Sequence, residues 1–184
     1  MAIKNTSTHY NKLSIILHWL MLLVLIAVYA SIELRVLFDK GTETRDLFKM
    51  WHFMLGLSVL LLVTIRLFIR LKSGSKPLIT PSPAKWQTMA ASITHIALYA
   101  FMFAMPLAGW FMLSLFDAPI PFYGFELPAL AAKNTDLAKQ IKYLHETTGV
   151  LGYYLIALHA SAALLHHYII KDNTLKRILF KNNG

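Results

Sequence analysis

Apolar residues run through the chain in four long blocks, separated by stretches rich in charge, proline and glycine. The first block runs from Leu13 to Ile32, uncharged between Lys12 and Glu33. The second runs from Met50 to Ile65 and continues amphipathically through Arg66 and Arg70 to Leu71. The third lies between Lys85 and Asp117, with Pro106 near its far end, and the fourth runs from Thr147 to Ile170, closed by Lys171. A bilayer core of about 30 Å is crossed by about 20 helical residues. In lipid a segment satisfies its backbone hydrogen bonds only as a helix or within a closed barrel. Period-two alternation is missing, so the barrel is rejected. The pattern predicts an all-α integral membrane protein, a four-transmembrane-helix bundle with helices over about 13–34, 48–71, 86–114 and 143–170, forming one domain over residues 1–184. The first block is expected to be retained as a helix, because no small-residue cleavage site follows it.

The connections differ in character. Residues 34–49 read as a mixed-charge loop, and residues 72–85 as a short basic loop broken by Gly74, Pro77, Pro81 and Pro83. Residues 117–142 are the longest connection, an aromatic and proline-rich stretch suited to the membrane interface. One side of the predicted bundle collects Lys4, Lys12, Arg66, Arg70, Lys72, Lys76, Lys85, Lys171, Lys176, Arg177 and Lys181, opposed only by Asp172. The other side carries seven basic residues, among them Arg45, Lys49 and Lys142, against eight acidic ones. The positive-inside rule then puts both termini in the cytoplasm.

Composition narrows the chemistry. Hydrophobic residues make up 57% of the chain and charged residues 15%, against roughly 45–50% and about 25% in soluble domains. The net charge of +9 flanks the apolar blocks, so topology explains it better than nucleic-acid binding does. Cysteine is absent, which removes disulfides, thiolate metal sites, iron–sulfur clusters and covalent c-type haem attachment. Any metal must be held by His, Met or carboxylate, and there are eight histidines.

Ionisable residues inside membrane helices are costly and point to function. His18, His52, His95, His145 and His159 fall within the predicted helices; His166 and His167 sit at the end of the fourth. His145 and His159 are 14 residues apart, about 21 Å along a helix and nearly on one face. Two imidazoles on one stripe, one near each membrane surface, suit two stacked haems, each needing a second axial ligand at matching depth. Depth pairs His18 with His159 on the cytoplasmic side and His52 with His145 on the outer side. His166 is the rival to His159, seven residues further on the same face, but it would push the haem towards the headgroups. Gly56 and Gly149 each follow a histidine by four, and Gly152 lies between His145 and His159; these glycines leave room for a flat macrocycle, or else serve helix packing. Arg66 is 14 residues after His52 and suits a haem propionate, or else snorkels at a helix end.

At these residues the chain resembles the bacterial cytochrome b561 family, the small di-haem cytochromes that include superoxide oxidase. The resemblance is carried by Ser14–Leu20 around His18, Trp51-His52 with Gly56, Val63–Leu67 around Arg66, and His95–Tyr99 with Pro106 and Gly109. It continues through His145–Gly149, His159, His166-His167-Tyr168 and Lys171–Leu175. It covers nearly the whole chain. It implies four helices in the bacterial inner membrane and two haem b groups ligated by His18 with His159 and His52 with His145. It also implies electron exchange with ubiquinone and, for the superoxide-oxidase branch, oxidation of superoxide to dioxygen at the periplasmic face. Bis-histidine ligation leaves no open iron position, which favours outer-sphere electron transfer. Arg45, Lys49 and Lys142 lie just outside the outer ligands and are candidates for attracting superoxide, or ordinary interfacial anchors. His166 is a candidate for hydrogen bonding a quinone carbonyl; Trp19 and His95 are weaker ones. Relatives also anchor dehydrogenases, so an electron-transfer subunit docking such a partner stays open, as does a haem-free helical transporter.

Overall fold

The computed structural model describes residues 3–180; Lys181, counted above with the cytoplasmic charges, lies outside them. Four long helices dominate: α1 (Lys12–Leu34), α2 (Glu43–Lys72), α3 (Lys85–Leu115) and α4 (Thr135–Leu165), the last running into a π-helical turn at His166–Ile170. All four are long and apolar enough to cross a membrane. Leu23, Leu61, Ile96 and Leu151, one on each helix, are 63%, 53%, 69% and 60% exposed on the isolated chain. Apolar side chains exposed along all four helices need lipid around them.

Two helices begin earlier than hydropathy predicts, and both for the same reason. α2 starts at Glu43 and not near residue 48, with Glu43 and Asp46 in its first turn. α4 starts at Thr135 and not near residue 143; the Asn134 side chain accepts the Leu137 N–H at 3.1 Å, and Asp136 lies in the first turn. Acidic first turns and an Asn cap stabilise the exposed helix N-terminus. These turns are polar, so they extend the helices beyond the apolar blocks. The 34–49 and 117–142 connections are correspondingly shorter.

The helices pack in the order α1 on α2, α2 on α3 and α3 on α4, while the α1 and α4 backbones hardly approach. The central core is Met21, Val59, Val63 and Met102, with Leu98 and Phe101 against it. Leu57, Leu113 and Ile120 form a second cluster with Trp110 and Phe122. That cluster anchors a small hairpin, β1 (Pro121–Phe122) with β2 (Phe125–Glu126). Its two-residue turn has φ of 46° at Tyr123 and 89° at Gly124, the left-handed pair that a tight hairpin needs.

The two ends of the bundle are built differently. At the loop end, the hairpin segment folds back on the helices: Tyr123 meets Ser58 hydroxyl to hydroxyl at 3.1 Å, and Trp110 Nε1 donates to the Pro128 carbonyl at 2.9 Å. At the termini end, three separate segments interlock. Asn11 Nδ2 donates to Ser73 Oγ at 2.9 Å, and the Leu78 N–H donates to the Ser7 carbonyl at 2.9 Å. The Thr80 N–H donates to Asn173 Oδ1 at 2.8 Å, and Arg177 donates to the Pro77 carbonyl. The breaker-rich loop between α2 and α3 is thus held by both tails.

Candidate functional site

α4 carries His145 and His159 at two levels, and each ring meets a ring from another helix. His52 on α2 faces His145 with ring centroids 6.3 Å apart, and His18 on α1 faces His159, also at 6.3 Å. Both pairs meet edge to face, with room between their nitrogens. Two metal–imidazole bonds of about 2 Å, plus about 1.1 Å from each nitrogen to its ring centre, span about 6.2 Å. No group of three or more His, Cys, Asp or Glu placed to hold a metal occurs among the described residues. A metal at either pair would find two imidazoles and would have to bring its other ligands, as one in a porphyrin does.

The surroundings of the rings fit that chemistry at the loop end. His52 Nδ1 is 3.1 Å from the Val28 carbonyl, which can only accept, so Nδ1 carries the proton and Nε2 is left free as a ligand. Gly109 lies against His145: a Cβ there would come within 3.4 Å of His145 Cε1. Gly56 has open space where a side chain would stand, and Gly149 meets only Met105 at 3.7 Å. Gly152 follows the packing alternative. A Cβ on it would overlap the Phe101 ring and the Tyr29 hydroxyl, and that hydroxyl donates to the Gly149 carbonyl at 2.8 Å. Between the two histidine levels the stripe is filled by α1 and α3 side chains instead of lying open.

The termini end is more crowded. His95 from α3 packs edge-on to His159, centroids 5.4 Å apart, so three imidazoles gather there. Arg66 turns inward: Nη1 is 3.0 Å from His18 Nδ1, and Nε donates to the Tyr99 hydroxyl at 3.3 Å. An arginine only donates, so His18 Nδ1 accepts and its Nε2 carries the proton. This bond and metal binding by Nε2 exclude one another. His166 faces Asp172, with Nδ1 2.5 Å from Oδ2, and Asp172 is 2% exposed. Burial works to raise the Asp172 pKa, but its bonds to His166 and the Thr174 N–H prevail and hold it below the usual carboxylate range. Trp19 Nε1 is taken by the Ile178 carbonyl at 3.0 Å.

The basic residues proposed to attract an anion do not converge. Arg45 is tied to the Arg35 and Phe38 carbonyls at 3.3 and 2.6 Å. Lys142 is paired with Glu146 at 3.8 Å. Lys49 lies 5.8 Å over the Phe53 ring and has no carboxylate partner among the described residues. Sequence reading missed Gly109, Tyr99, Arg35 and Asp172. The six-residue spacing of His166 and Asp172 carries no helical signal, because the π-helical turn and the left-handed Lys171 (φ 60°) bring them together.

Four membrane-crossing helices with facing histidine pairs at two depths define the class: a transmembrane bundle with paired imidazole sites. The chain belongs to the prokaryotic cytochrome b561 family, whose model matches residues 9–181. It is 42% identical to cytochrome b561 homolog 1 of Escherichia coli K12 over 170 residues, 92% of this chain and 96% of that protein. It is 35% identical to the probable superoxide oxidase CybB of Yersinia pestis over 175 residues, 95% of this chain and 98% of that protein. Cytochrome b561 homolog 2 of Escherichia coli K12 is 29% identical over 192 residues. The protein is thus a bacterial membrane haem protein of the b type, with the lipid bilayer as its solvent.

Proposed function

We propose that this cytochrome is a superoxide:ubiquinone oxidoreductase with two haem b groups, one at each histidine pair. The observation that carries the di-haem reading is the equal 6.3 Å spacing of His18–His159 and His52–His145. The resemblance to a probable superoxide oxidase over nearly the whole chain supports the substrate. His18 and His159 hold one iron, and His52 and His145 the other. Each haem supplies a one-electron couple without an open coordination position. The net reaction takes two superoxide ions, one ubiquinone and two protons to two dioxygen molecules and one ubiquinol.

The chain's own groups divide the work. His52 is fixed in the ligating tautomer by Val28. Arg66 would pair with a carboxylate of the bound haem in place of His18 Nδ1, and His18 would then be able to offer Nε2 as a ligand. The excess of lysine and arginine at the termini end makes that end cytoplasmic, with the loop end in the periplasm. Lys49 adds the unpaired positive charge that draws a small anion to the loop end. His166, its Nδ1–H held by Asp172, presents an accepting Nε2 to a quinol hydroxyl near the cytoplasmic pair, and donates from Nε2 to a quinone carbonyl only as the imidazolium.

The test is purified protein in nanodiscs with a soluble ubiquinone analogue and an enzymatic superoxide source. Haem reduction together with dioxygen release is expected. Haems that dithionite reduces but superoxide leaves oxidised would overturn the substrate. A second reading, an electron-transfer subunit docking a dehydrogenase, draws on the name of the 42% identical relative, which specifies a cytochrome and no substrate.

A further inference from the structure

Arg35 follows α1 at the loop end, where it opens a short 3-10 turn over Arg35–Leu37. Its carbonyl is used by Arg45 at 3.3 Å, but its own side chain is not satisfied. The residue is half-buried, and its Nε is shielded from solvent with no hydrogen-bond partner. It takes part in none of the ion pairs among the described residues. The neighbouring carboxylate, Glu33, is engaged by the Tyr153 hydroxyl at 2.8 Å. Arginine keeps its charge in any protein setting, so a shielded guanidinium N–H without an acceptor is costly.

Arg35 also has a defined direction. It is seven residues after Val28, two helical turns or about 10.5 Å further along α1 and on the same face. That is the face whose Val28 carbonyl holds the His52 ring. We propose that Arg35 binds a carboxylate substituent of the macrocycle held between His52 and His145, pairing through Nε and a terminal nitrogen. This rests on the bis-histidine reading given above. Haem b carries two such carboxylates, and a planar guanidinium matches one with two parallel hydrogen bonds. Arg35 is then a positioning residue. It fixes the rotation of the macrocycle about the His52–His145 axis, and its charge favours the reduced state, which carries one more electron.

The test is a redox titration of the purified di-haem protein, followed optically, for wild type, Arg35→Gln and Arg35→Lys. It uses no superoxide, so it can succeed even where the substrate assignment fails. Arg35→Gln should shift to lower potential the component that His52→Ala removes and leave the other unmoved. Arg35→Lys, which keeps the charge, should shift it less. An unmoved loop-end component, or a shift in the component that His18→Ala removes, overturns the proposal. If Arg35→Gln fails to hold haem, Arg35→Lys decides: two haems with a near-native potential support a charge role, and loss of haem there too overturns it. A slower superoxide reaction at unchanged potential would make Arg35 a substrate-steering residue and also overturns the carboxylate assignment.

Discussion

The two histidine pairs share a ring spacing of 6.3 Å but sit in opposite surroundings. The loop-end pair is simple: His52 is fixed by one backbone carbonyl, and His145 rests on Gly109. The termini-end pair is part of a polar network that includes Arg66, Tyr99 and His95. Above it, both tails and the α2–α3 loop are laced together. The same pairing of imidazoles is thus placed once beneath the loop segments and once under a hydrogen-bonded cap. A small soluble reactant that gives up one electron needs only a thin barrier and a local charge. On the proposed function, a lipid-soluble acceptor that takes up protons would use the polar groups held near the membrane surface at the capped end.

The largest effects should come from removing the rings themselves. His18→Ala and His159→Ala are expected to abolish one and the same redox component, and His52→Ala and His145→Ala the other. Redox titration of each variant, with haem counted by pyridine haemochrome, checks this. The comparison between the ends breaks if His166→Ala deletes the component that His18→Ala deletes while His159→Ala spares it. With His166 bound to Asp172, the expected result for His166→Ala is two haems retained and slower reduction by a quinol analogue.

Next in size is the point where the two halves meet. Gly152→Ala places a methyl group into the Phe101 ring and the Tyr29 hydroxyl, and overpacking of this kind costs about 1–3 kcal/mol. Thermal unfolding in detergent should show a lower midpoint, with both haems still bound at low temperature. An unchanged midpoint would mean that the contact yields freely. This site also marks what the sequence could and could not reveal. The facing of His18 with His159 and of His52 with His145 was legible because depth in a bilayer follows from counting residues along helices. The choice between the two roles of Gly152 was not legible because it depends on which way Phe101 and Tyr29 point, and no spacing within α4 carries that. The early starts of α2 and α4 were missed because hydropathy sees the apolar block and not the polar first turn. Arg45 and Lys142 lie at the loop end, where carbonyls occupy the Arg45 guanidinium and Glu146 offsets the Lys142 charge.

The cap gives a smaller, pH-dependent effect. Asp172 is held below the usual carboxylate range despite its burial. A carboxylate with a depressed folded pKa contributes stability that is complete above its unfolded pKa and is lost as pH falls through the folded value. Asp172→Asn should therefore weaken the cap near neutral pH by about 1.5–3 kcal/mol, the range for hydrogen bonds to charged groups, and the difference from wild type should shrink below about pH 4. Limited proteolysis of the termini end across a pH series reads this out, and a difference that grows on acidification would contradict it.

The smallest effects belong to the exposed charges of the loop end, and they sharpen the contrast most finely. A unit charge about 8 Å from an approaching anion contributes about 0.5 kcal/mol in water, which is about a twofold change in rate. Lys49, without a carboxylate partner among the described residues, should deliver that in full. Lys142 shares its charge with Glu146 at 3.8 Å, so Lys142→Gln should change the rate less than Lys49→Gln does. Arg45→Gln should act mainly by loosening the turn that its guanidinium ties to Arg35 and Phe38. Stopped-flow haem reduction by superoxide across a salt series separates these cases. Steering by Lys49 appears as a rate that falls with ionic strength in wild type and flattens in Lys49→Gln, while quinol-driven reduction stays unchanged. Loss of superoxide reactivity in Lys72→Gln or Lys76→Gln, with Lys49→Gln unaffected, would put the substrate at the capped end and invert the assignment of the two faces.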